Sequence, residues 1–438
     1  MRNLDPSSIP DNHMALIPIT STDRSQQQFT SKDSDTQTAQ VVTSIIERVR
    51  QEGDTALFDL TEKFDSVSLE QLFVPVRKLK EAERLLDDKT RHLLEEAISN
   101  IKAFHQKQLQ SSWSDQHPDG TVLGEKVTPL DRVGIYVPGG KAFYPSTMIM
   151  NTIPAQIAGV KSILIASPPG KDRYPHQLVL AICSMLGLSE ILAVGGAHAI
   201  AAMAYGTSSV KPVCKITGPG NRFVAEAKRQ VFGTVGIDSI AGPSEIVILH
   251  DDPDIPTEYL VRDLLTQAEH DEDATAVLIT LFPETAEAVQ KRIEALVPTL
   301  PRQEIIKASL VNHGRIMVVD SVEEGISLVN QIAPEHLELM VKDHSVVDKI
   351  NNAGAIFIGK WSSETIGDYF AGPNHTIPTS GAARFGSPLS VRDFQKHSSI
   401  ISYSKARFDK DASIIAALAD MEGLHAHAEA IRVRQDRD

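Results

Sequence analysis

Short runs of apolar, mostly β-branched residues recur in the middle of the chain, separated by helix-length stretches rich in Ala, Ile, Leu and Met. The runs lie at residues 133–137, 162–166, 191–194 and 213–216. Short apolar strands that alternate with helices predict βαβ units and a buried parallel sheet. Turns rich in Gly and Pro follow them, at residues 138–140, 168–170, 195–197 and 218–221. Because open α/β sheets bind ligands at the carboxyl ends of their strands, these turns predict a site at that edge.

The turn at 218–221 falls short of the dinucleotide-binding fingerprint G-x-G-x-x-G. It reads Gly218-Pro219-Gly220-Asn221-Arg222-Phe223 and therefore ends in Phe where the fingerprint has Gly. Turns of this kind also serve simple chain reversal. From the residues alone, nucleotide binding and chain reversal both stay open.

A second α/β region follows, with a strand at 245–249, helices at 257–269 and 284–295, and short strands near 315–319, 336–341 and 355–358. A helical pattern at 412–432 closes the chain. The first 38 residues are mostly polar and indicate an arm without a core of its own. We therefore expect an α/β protein with two Rossmann-like lobes, an incomplete dinucleotide fingerprint, and small extensions at both ends.

Composition restricts the class of partner. The chain has 438 residues, 57 acidic and 43 basic, and a formal net charge of −14. An acidic chain disfavours nucleic acid and anionic membranes as main partners, and no apolar run is long enough to span a bilayer. The only cysteines, Cys183 and Cys214, have apolar neighbours and are expected in the core. Such scarcity fits a reducing cytoplasm and excludes a thiolate zinc site.

Two pairs of polar residues could carry chemistry. Gln267 and His270 lie three apart on a predicted helix and share a face, which suits a shared metal ion, although a solvated acidic patch is the alternative. Glu335 and His336 lie at a loop-to-strand junction, where they could act as an acid–base pair. Adjacent strand residues point to opposite faces, so both reach one site only if the junction is irregular. The alternative is an exposed polar turn.

Further candidates lie in loops and in the C-terminal tail. A Gly-rich loop carries Asp368 and His375 and is typical either of a functional loop or of a tight surface turn. Ser244 lacks a G-x-S-x-G context, so a capping or substrate-binding hydroxyl is favoured over a nucleophile. Glu422 and His427 in the tail do not closely share a helical face. Nitrogen and oxygen ligands without Cys suit Zn²⁺, Mn²⁺ or Co²⁺.

Taken together, these segments closely resemble the histidinol dehydrogenase family over about residues 41–434. The matching stretches, in chain order, are RVGIYVPGG (132–140), ITGPGN (216–221), AGPSE (241–245), DLLTQAEHD (263–271), NQIAPEHLEL (330–339), NNAGAIFIG (351–359), GDYFAGPNHTIPT (367–379) and EGLHAH (422–427). Their collinear order makes a chance match very improbable, and the match lies in site residues rather than in fold alone.

The resemblance implies oxidation of L-histidinol to L-histidine through a bound L-histidinal intermediate, with two hydride transfers to NAD, as the last step of histidine biosynthesis. It implies one Zn²⁺ per subunit. The positions that match the family's zinc ligands are Gln267, His270, Asp368 and His427. The substrate's imidazole and amino group complete the coordination, so the metal chiefly orients the substrate. A related alcohol dehydrogenase with another substrate and a non-catalytic binding protein are the alternatives.

By the same resemblance, His336 matches the general base for alcohol oxidation, and Glu335 matches the base that activates water against the aldehyde. Ser244, His375 and Glu422 match substrate-binding positions, together with His336 and the four zinc ligands. NAD binding is expected to use Tyr136, His198 and Asn221. His198 departs from the family, which has Gln there, and imidazole differs from an amide in reach and charge.

The resemblance also implies how the chain is organised. Residues 1–38 form an N-terminal arm, and residues 39–132 with 245–387 form a discontinuous domain that carries metal and substrate residues. Residues 133–244 form the NAD-binding domain, and residues 388–438 reach into the active site of a second subunit. Both extensions are expected to pack on the partner. Glu422 and His427 are then supplied in trans, and activity requires a homodimer.

Overall fold

A computed structural model describes residues 15–21, 36–139, 145–240 and 242–435. Its strands are β1 (Ile19–Ser21), β2 (Trp113–Gln116), β3 (Val122–Pro129), β4 (Arg132–Tyr136), β5 (Ser162–Ala166), β6 (Glu190–Leu192), β7 (Lys215–Thr217), β8 (Gly236–Ile237), β9 (Glu245–His250), β10 (Thr275–Thr280), β11 (Arg315–Val318), β12 (His336–Met340), β13 (Ala355–Ile358) and β14 (Gln395–Ser402). Its helices are α1 (Thr36–Glu52), α2 (Asp54–Asp65), α3 (Val76–Arg84), α4 (Asp88–Gln106), α5 (Pro145–Ala158), α6 (Gln177–Met185), α7 (Gly196–Tyr205), α8 (Arg222–Val231), α9 (Thr257–Ala268), α10 (Pro283–Leu296), α11 (Gln303–His313), α12 (Val322–Ile332), α13 (Glu364–Tyr369), α14 (Lys405–Met421) and α15 (His425–Gln435).

The predicted parallel sheet is confirmed in the middle of the chain. Five strands pair in the order β6-β5-β4-β7-β8, all parallel. Its central residues, such as Ile135 and Leu164, are fully buried. Helices cover both faces, which is why these strands read as continuous apolar runs without polar alternation.

A second parallel sheet has six strands in the order β1-β11-β10-β9-β12-β13. Its edge strand β1 comes from the first 38 residues, which the sequence predicts to be an arm without a core. Ile17 is fully buried with Ile316 and Val289, and β1 pairs with β11 in register Ile19↔Ile316. This part of the arm therefore packs on the six-stranded sheet of the same chain, where burial of Ile17 contributes roughly 1.5–3 kcal/mol.

Helices from residues 36–106 pack on the five-stranded sheet, which differs from the expected grouping of 39–132 with 245–387. The apolar face of α1, including Val42 and Val49, packs in one cluster with Ile200 and Met203 of α7. Likewise, Leu79 of α3 joins the cluster that contains the α5 and α6 side chains. The apolar faces of these amphipathic helices pack against the lobe that follows them in sequence.

The C-terminal region contributes one strand to an antiparallel sheet that the sequence pattern does not predict. Strand β14 pairs with β3, which pairs with β2. Beyond β14, helices α14 and α15 pack on each other, and many of their apolar side chains, such as Ile414 and Met421, are exposed. Cys183 is buried as expected, whereas Cys214 is exposed. No helix in the described ranges is both long and apolar enough to cross a membrane.

Candidate active site

A cavity of about 990 Å³ lies where the two parallel sheets face each other. The five-stranded sheet contributes the turns that follow β4 and β7, as predicted for a carboxyl edge. The turns at 168–170 and 195–197 do not line the cavity. The six-stranded sheet contributes its amino edge, because Ser244 and Glu335 immediately precede β9 and β12. The lining residues include Pro138, Gly139, Gly218, Gly220, Asn221, Ser244, His270, Glu335, His336, Glu364, Asp368 and His375.

Glu335 and His336 face the same site, so the interpretation as an exposed polar turn is wrong. They are 6% and 3% exposed, and Glu335 Oε2 lies 3.7 Å from His336 Nδ1. The junction is irregular, because Ala333 closes α12 in the left-handed region at φ 56°. That turn delivers Glu335 just before the regular alternation of β12 begins, which lets both side chains reach the cavity.

His336 is held in one orientation by the backbone. Its Nδ1 donates to the carbonyl oxygen of Glu245 at 3.0 Å, since a carbonyl can only accept. Its Nε2 is buried and makes no hydrogen bond within the described residues, and Asp368 Oδ1 lies 3.9 Å away. Burial lowers the pKa of His336. The ring is therefore neutral and presents the Nε2 lone pair, the form that accepts a proton.

Glu335 is fixed by two hydrogen bonds to the same oxygen. Ser244 Oγ donates to Glu335 Oε2 at 2.5 Å, and the backbone N–H of Glu245 donates to it at 3.0 Å. Burial raises the pKa of Glu335 to about 8 in spite of these bonds. Ser244 thus donates to a carboxyl group in this structure, and its expected role as a substrate-binding hydroxyl stays a prediction.

A cluster of possible metal ligands lies at the same cavity. One ligand atom from each of His270, Glu364 and Asp368 lies within 4.8 Å of the others. Glu364 is 1% exposed, and its pKa lies well above the ordinary value because of burial and the neighbouring carboxylates, Asp368 first among them. Carboxylates crowded in this way are stabilised by a cation between them, so the donor set fits a divalent metal.

Gln267 supports the same fit. It is 0% exposed, and neither its amide oxygen nor its amide nitrogen has a hydrogen-bond partner among the described residues. A buried amide without partners costs free energy unless a ligand is bound. The helix α9 ends at Ala268, so His270 lies just beyond it in a continuing turn, with its N–H donating to the Gln267 carbonyl at 3.2 Å.

Glu364 is not among the residues predicted from the sequence, although its spacing from Asp368 offered a signal. Glu364 and Asp368 are four apart on α13 and therefore share a face of that helix. His375, one of the predicted residues, lines the cavity, and its Nε2 lies 3.1 Å from Thr147 Oγ1. Burial lowers the pKa of His375 to about 4, so its imidazole is neutral.

The three residues expected to bind NAD are not all at the cavity. Asn221 lines it and caps α8, where its Oδ1 accepts from the N–H groups of Phe223 and Val224. Tyr136 and His198 are buried and do not line the cavity. The Tyr136 hydroxyl accepts from the N–H of Gly196 at 3.0 Å, and His198 Nε2 lies 3.3 Å from Thr61 Oγ1.

Glu422 and His427 lie apart from the other candidates. Glu422 is the C-cap residue just after α14, His427 lies on α15, and both are exposed. Neither lines the cavity of this chain. Within this chain the cavity therefore forms without them.

The buried carboxyl group, the neutral imidazole and the possible metal ligands at this cavity are typical of an α/β enzyme. The histidinol dehydrogenase family model matches residues 28–435. The histidinol dehydrogenase of Halalkalibacterium halodurans is 54% identical over 394 residues, which cover 90% of this chain and 93% of that protein. That of Bacillus subtilis is 50% identical over 397 residues, with 90% and 93% covered.

A solved structure agrees with these relatives. The crystal structure of histidinol dehydrogenase from Elizabethkingia anophelis superposes with a TM-score of 0.91 at 33% identity, covering 97% of this chain and 99% of that one. The chain belongs to the histidinol dehydrogenase family, and it is an oxidoreductase with that family's α/β fold.

Proposed function

We propose that this chain oxidises L-histidinol to L-histidine through bound L-histidinal, with Zn²⁺ and two molecules of NAD, in the last step of histidine biosynthesis. The observation that carries the proposal is the pairing of buried Glu335 and His336 within 3.7 Å at the cavity that holds the metal donors. We expect the enzyme to work in the cytoplasm.

Gln267, His270 and Asp368 would hold Zn²⁺, together with His427 from a second copy of the chain. When bound, the metal would orient the substrate through the imidazole and amino nitrogens of the substrate, and two molecules of NAD would each accept one hydride. The support for this ligand set is the unpartnered amide of Gln267 and the close approach of His270 to Asp368.

His336 would take the alcohol proton in the first oxidation. The hydrogen bond from Nδ1 to the Glu245 carbonyl leaves the Nε2 lone pair free for this purpose. The depressed pKa of His336 keeps that lone pair available at neutral pH. A positioned base of this kind accelerates a proton transfer by roughly 10²–10⁴-fold.

Glu335 would take a proton from the water that adds to the aldehyde, giving the hydrate that is oxidised to the carboxylate. Its raised pKa, about 8, makes it a stronger base than an ordinary carboxylate once it is deprotonated. Ser244 and the Glu245 N–H hold Glu335 Oε2, so the carboxyl group keeps a fixed direction towards the cavity.

Substrate binding would use Ser244 and His375 from one subunit and Glu422 from the other, where a carboxylate suits the cationic amino group. The exposed position of Glu422 and His427 supports a homodimer with shared sites. The exposed apolar side chains of α14, such as Leu418 and Met421, offer a surface on which a second copy can pack. NAD would bind along the turns after β4 and β7, with Asn221 at the cavity and Tyr136 and His198 behind it.

The decisive experiment is the stoichiometry of the reaction. Purified protein with a limiting amount of L-histidinol should form two NADH for each histidinol consumed. One NADH with release of the aldehyde would contradict the two-step proposal. A panel of other polar alcohols, compared by kcat/KM, tests the substrate, and a higher value for another alcohol would reassign it.

A further inference from the structure

The turn at residues 218–221 is hydrogen-bonded to both members of one buried ion pair. Lys228 of α8 donates from Nζ to the Gly218 carbonyl at 3.0 Å, and the Gly218 N–H donates to Asp238 Oδ2 at 2.8 Å. Lys228 Nζ also bonds directly to Asp238 Oδ1. A single residue of the turn, Gly218, thus has both its N–H and its carbonyl oxygen bonded to the same pair of charges.

The ion pair is almost completely buried, and a contribution to folding stability does not by itself account for burying two charges. The side chains of Lys228 and Asp238 are 3% and 4% exposed, and both residues line the cavity. Replacing a buried ion pair with apolar residues is often neutral or stabilising, so burial of two charges is weak evidence for a purely stabilising role. Buried charged pairs are better attested as devices that specify one conformation.

The ion pair specifies the conformation of the turn at residues 218–221. Gly218 has φ +109°, and a Cβ there would lie 2.1 Å from the Tyr136 carbonyl oxygen, so the turn is pressed against the carboxyl end of β4. The turn leads directly to Asn221, whose Oδ1 caps α8. Gly218, Gly220 and Asn221 all line the cavity.

We propose that the Lys228–Asp238 ion pair is a positioning device for the dinucleotide, which fixes the 218–221 turn and Asn221 in the conformation that binds NAD. The inference rests on the proposed function, because that function supplies the ligand. Neither side chain takes part in proton or hydride transfer. The ion pair raises the affinity for the dinucleotide and does not change zinc binding or the rates of the chemical steps.

The test compares direct NAD⁺ affinity, measured by titration calorimetry, in the zinc-loaded dimer and its variants. Lys228→Met should weaken NAD⁺ binding about tenfold, within the hundredfold range that misplacing a supporting group costs. The KM for histidinol, the zinc content and kcat at saturating NAD⁺ should stay unchanged. Lys228→Arg keeps the charge and should recover most of the affinity.

A double variant separates positioning from stability. Lys228→Met alone leaves Asp238 buried without a counter-charge, so the unfolding temperature also falls. Lys228→Met with Asp238→Asn removes that charge and keeps an acceptor for the Gly218 N–H, so stability should recover. Affinity for NAD⁺ should remain at least about fivefold weaker, because the bond to the Gly218 carbonyl is still missing. Recovery of stability and affinity together would show a structural role only and overturn the proposal.

Lys215 provides the matched control. It lies on β7, the strand that leads into the turn, and bonds to Asp393 Oδ1 at 2.9 Å, away from the cavity. Lys215→Met should lower stability without changing NAD⁺ affinity, and an equal loss of affinity would overturn the proposal. If the unmodified protein binds NAD⁺ but does not oxidise histidinol, the proposed function fails and the calorimetry still decides the role of the pair. If it does not bind NAD⁺, both fail.

Discussion

The imidazole of His336 and the backbone carbonyl of Glu245 are joined by a hydrogen bond of 3.0 Å at Nδ1. Because the acceptor is a carbonyl, this bond fixes the tautomer and directs Nε2 towards the cavity. The carbonyl belongs to β9 and the imidazole to β12, which are neighbours in the six-stranded sheet, with His336 opposite Ile246. The direction of the proposed base is thus set by the register of two strands.

His336→Asn should lower kcat by roughly 10²–10⁴-fold, because Asn cannot accept the alcohol proton. Zinc content, measured by metal analysis, should stay unchanged, since His336 is not among the proposed ligands. His250→Asn is a matched control, because His250 is as deeply buried on β9 and bonds to Thr280 and Asp252. It should lose stability and keep kcat. An unchanged kcat in His336→Asn would reject the role of base.

Glu335 predicts a pH dependence for the second oxidation. A base works only when deprotonated, and the raised pKa of Glu335, about 8, keeps it protonated below that pH. With L-histidinal as substrate, the rate should rise with pH and level off above about pH 8. Glu335→Gln should abolish this rise and limit histidinol turnover to one NADH.

Ser244→Ala refines the same measurement. The bond from Ser244 lowers the pKa of Glu335, so its loss should move the midpoint of the pH profile upwards. A Glu335→Gln enzyme that keeps the pH profile and forms two NADH would show that another group activates the water.

Gln267→Leu should change the stability of the metal-free protein and its zinc affinity in opposite directions. The unpartnered amide of Gln267 costs about 1–3 kcal/mol without a metal, and Leu has a similar size without polar atoms. The unfolding temperature in chelator should therefore rise, while zinc retained after dialysis should fall.

Gln290→Leu is the control for that change. The Gln290 amide donates to the Ile17 carbonyl at 2.7 Å, so its loss should lower stability without affecting zinc. Normal zinc retention in Gln267→Leu would remove Gln267 from the ligand set.

Mixing two inactive variants tests whether sites are shared between subunits. A dimer of one His336→Asn and one His427→Asn subunit contains one site with both defects and one intact site. Random exchange makes half of the dimers mixed, so about a quarter of wild-type activity should return. Subunit exchange is verified with differently tagged chains, and no recovered activity after proven exchange would refute the shared site.

The strands of the five-stranded sheet could be predicted because each is a continuous apolar run. Spacing in the sequence could not predict that Ser244, Glu335 and His336 lie together, because their proximity depends on the pairing of β9 with β12. The family resemblance selected these residues. It did not select Glu364, which contributes an oxygen to the cluster with His270 and Asp368.

Long-range packing explains the remaining differences. Strand β14 pairs with β3 across more than two hundred and fifty residues of sequence, with Ile401 opposite Leu123, and both side chains are exposed. Strand β14 shows no alternation of apolar and polar residues, because its side chains are exposed on both faces of the sheet in the single chain. The helices of residues 36–106 carry a clear apolar face, but an apolar face does not say which lobe it will cover.

Strand β1 has its partner about three hundred residues further along the chain, since Ile19 pairs with Ile316. During synthesis the N-terminus leaves the ribosome first, so β1 stays unpaired until β11 has also left the ribosome. Ordering of the first strand is therefore a late folding event. Hydrogen exchange at residues 19–21 should report completion of the six-stranded sheet, and nascent chains that end before β11 should leave this segment open to proteolysis.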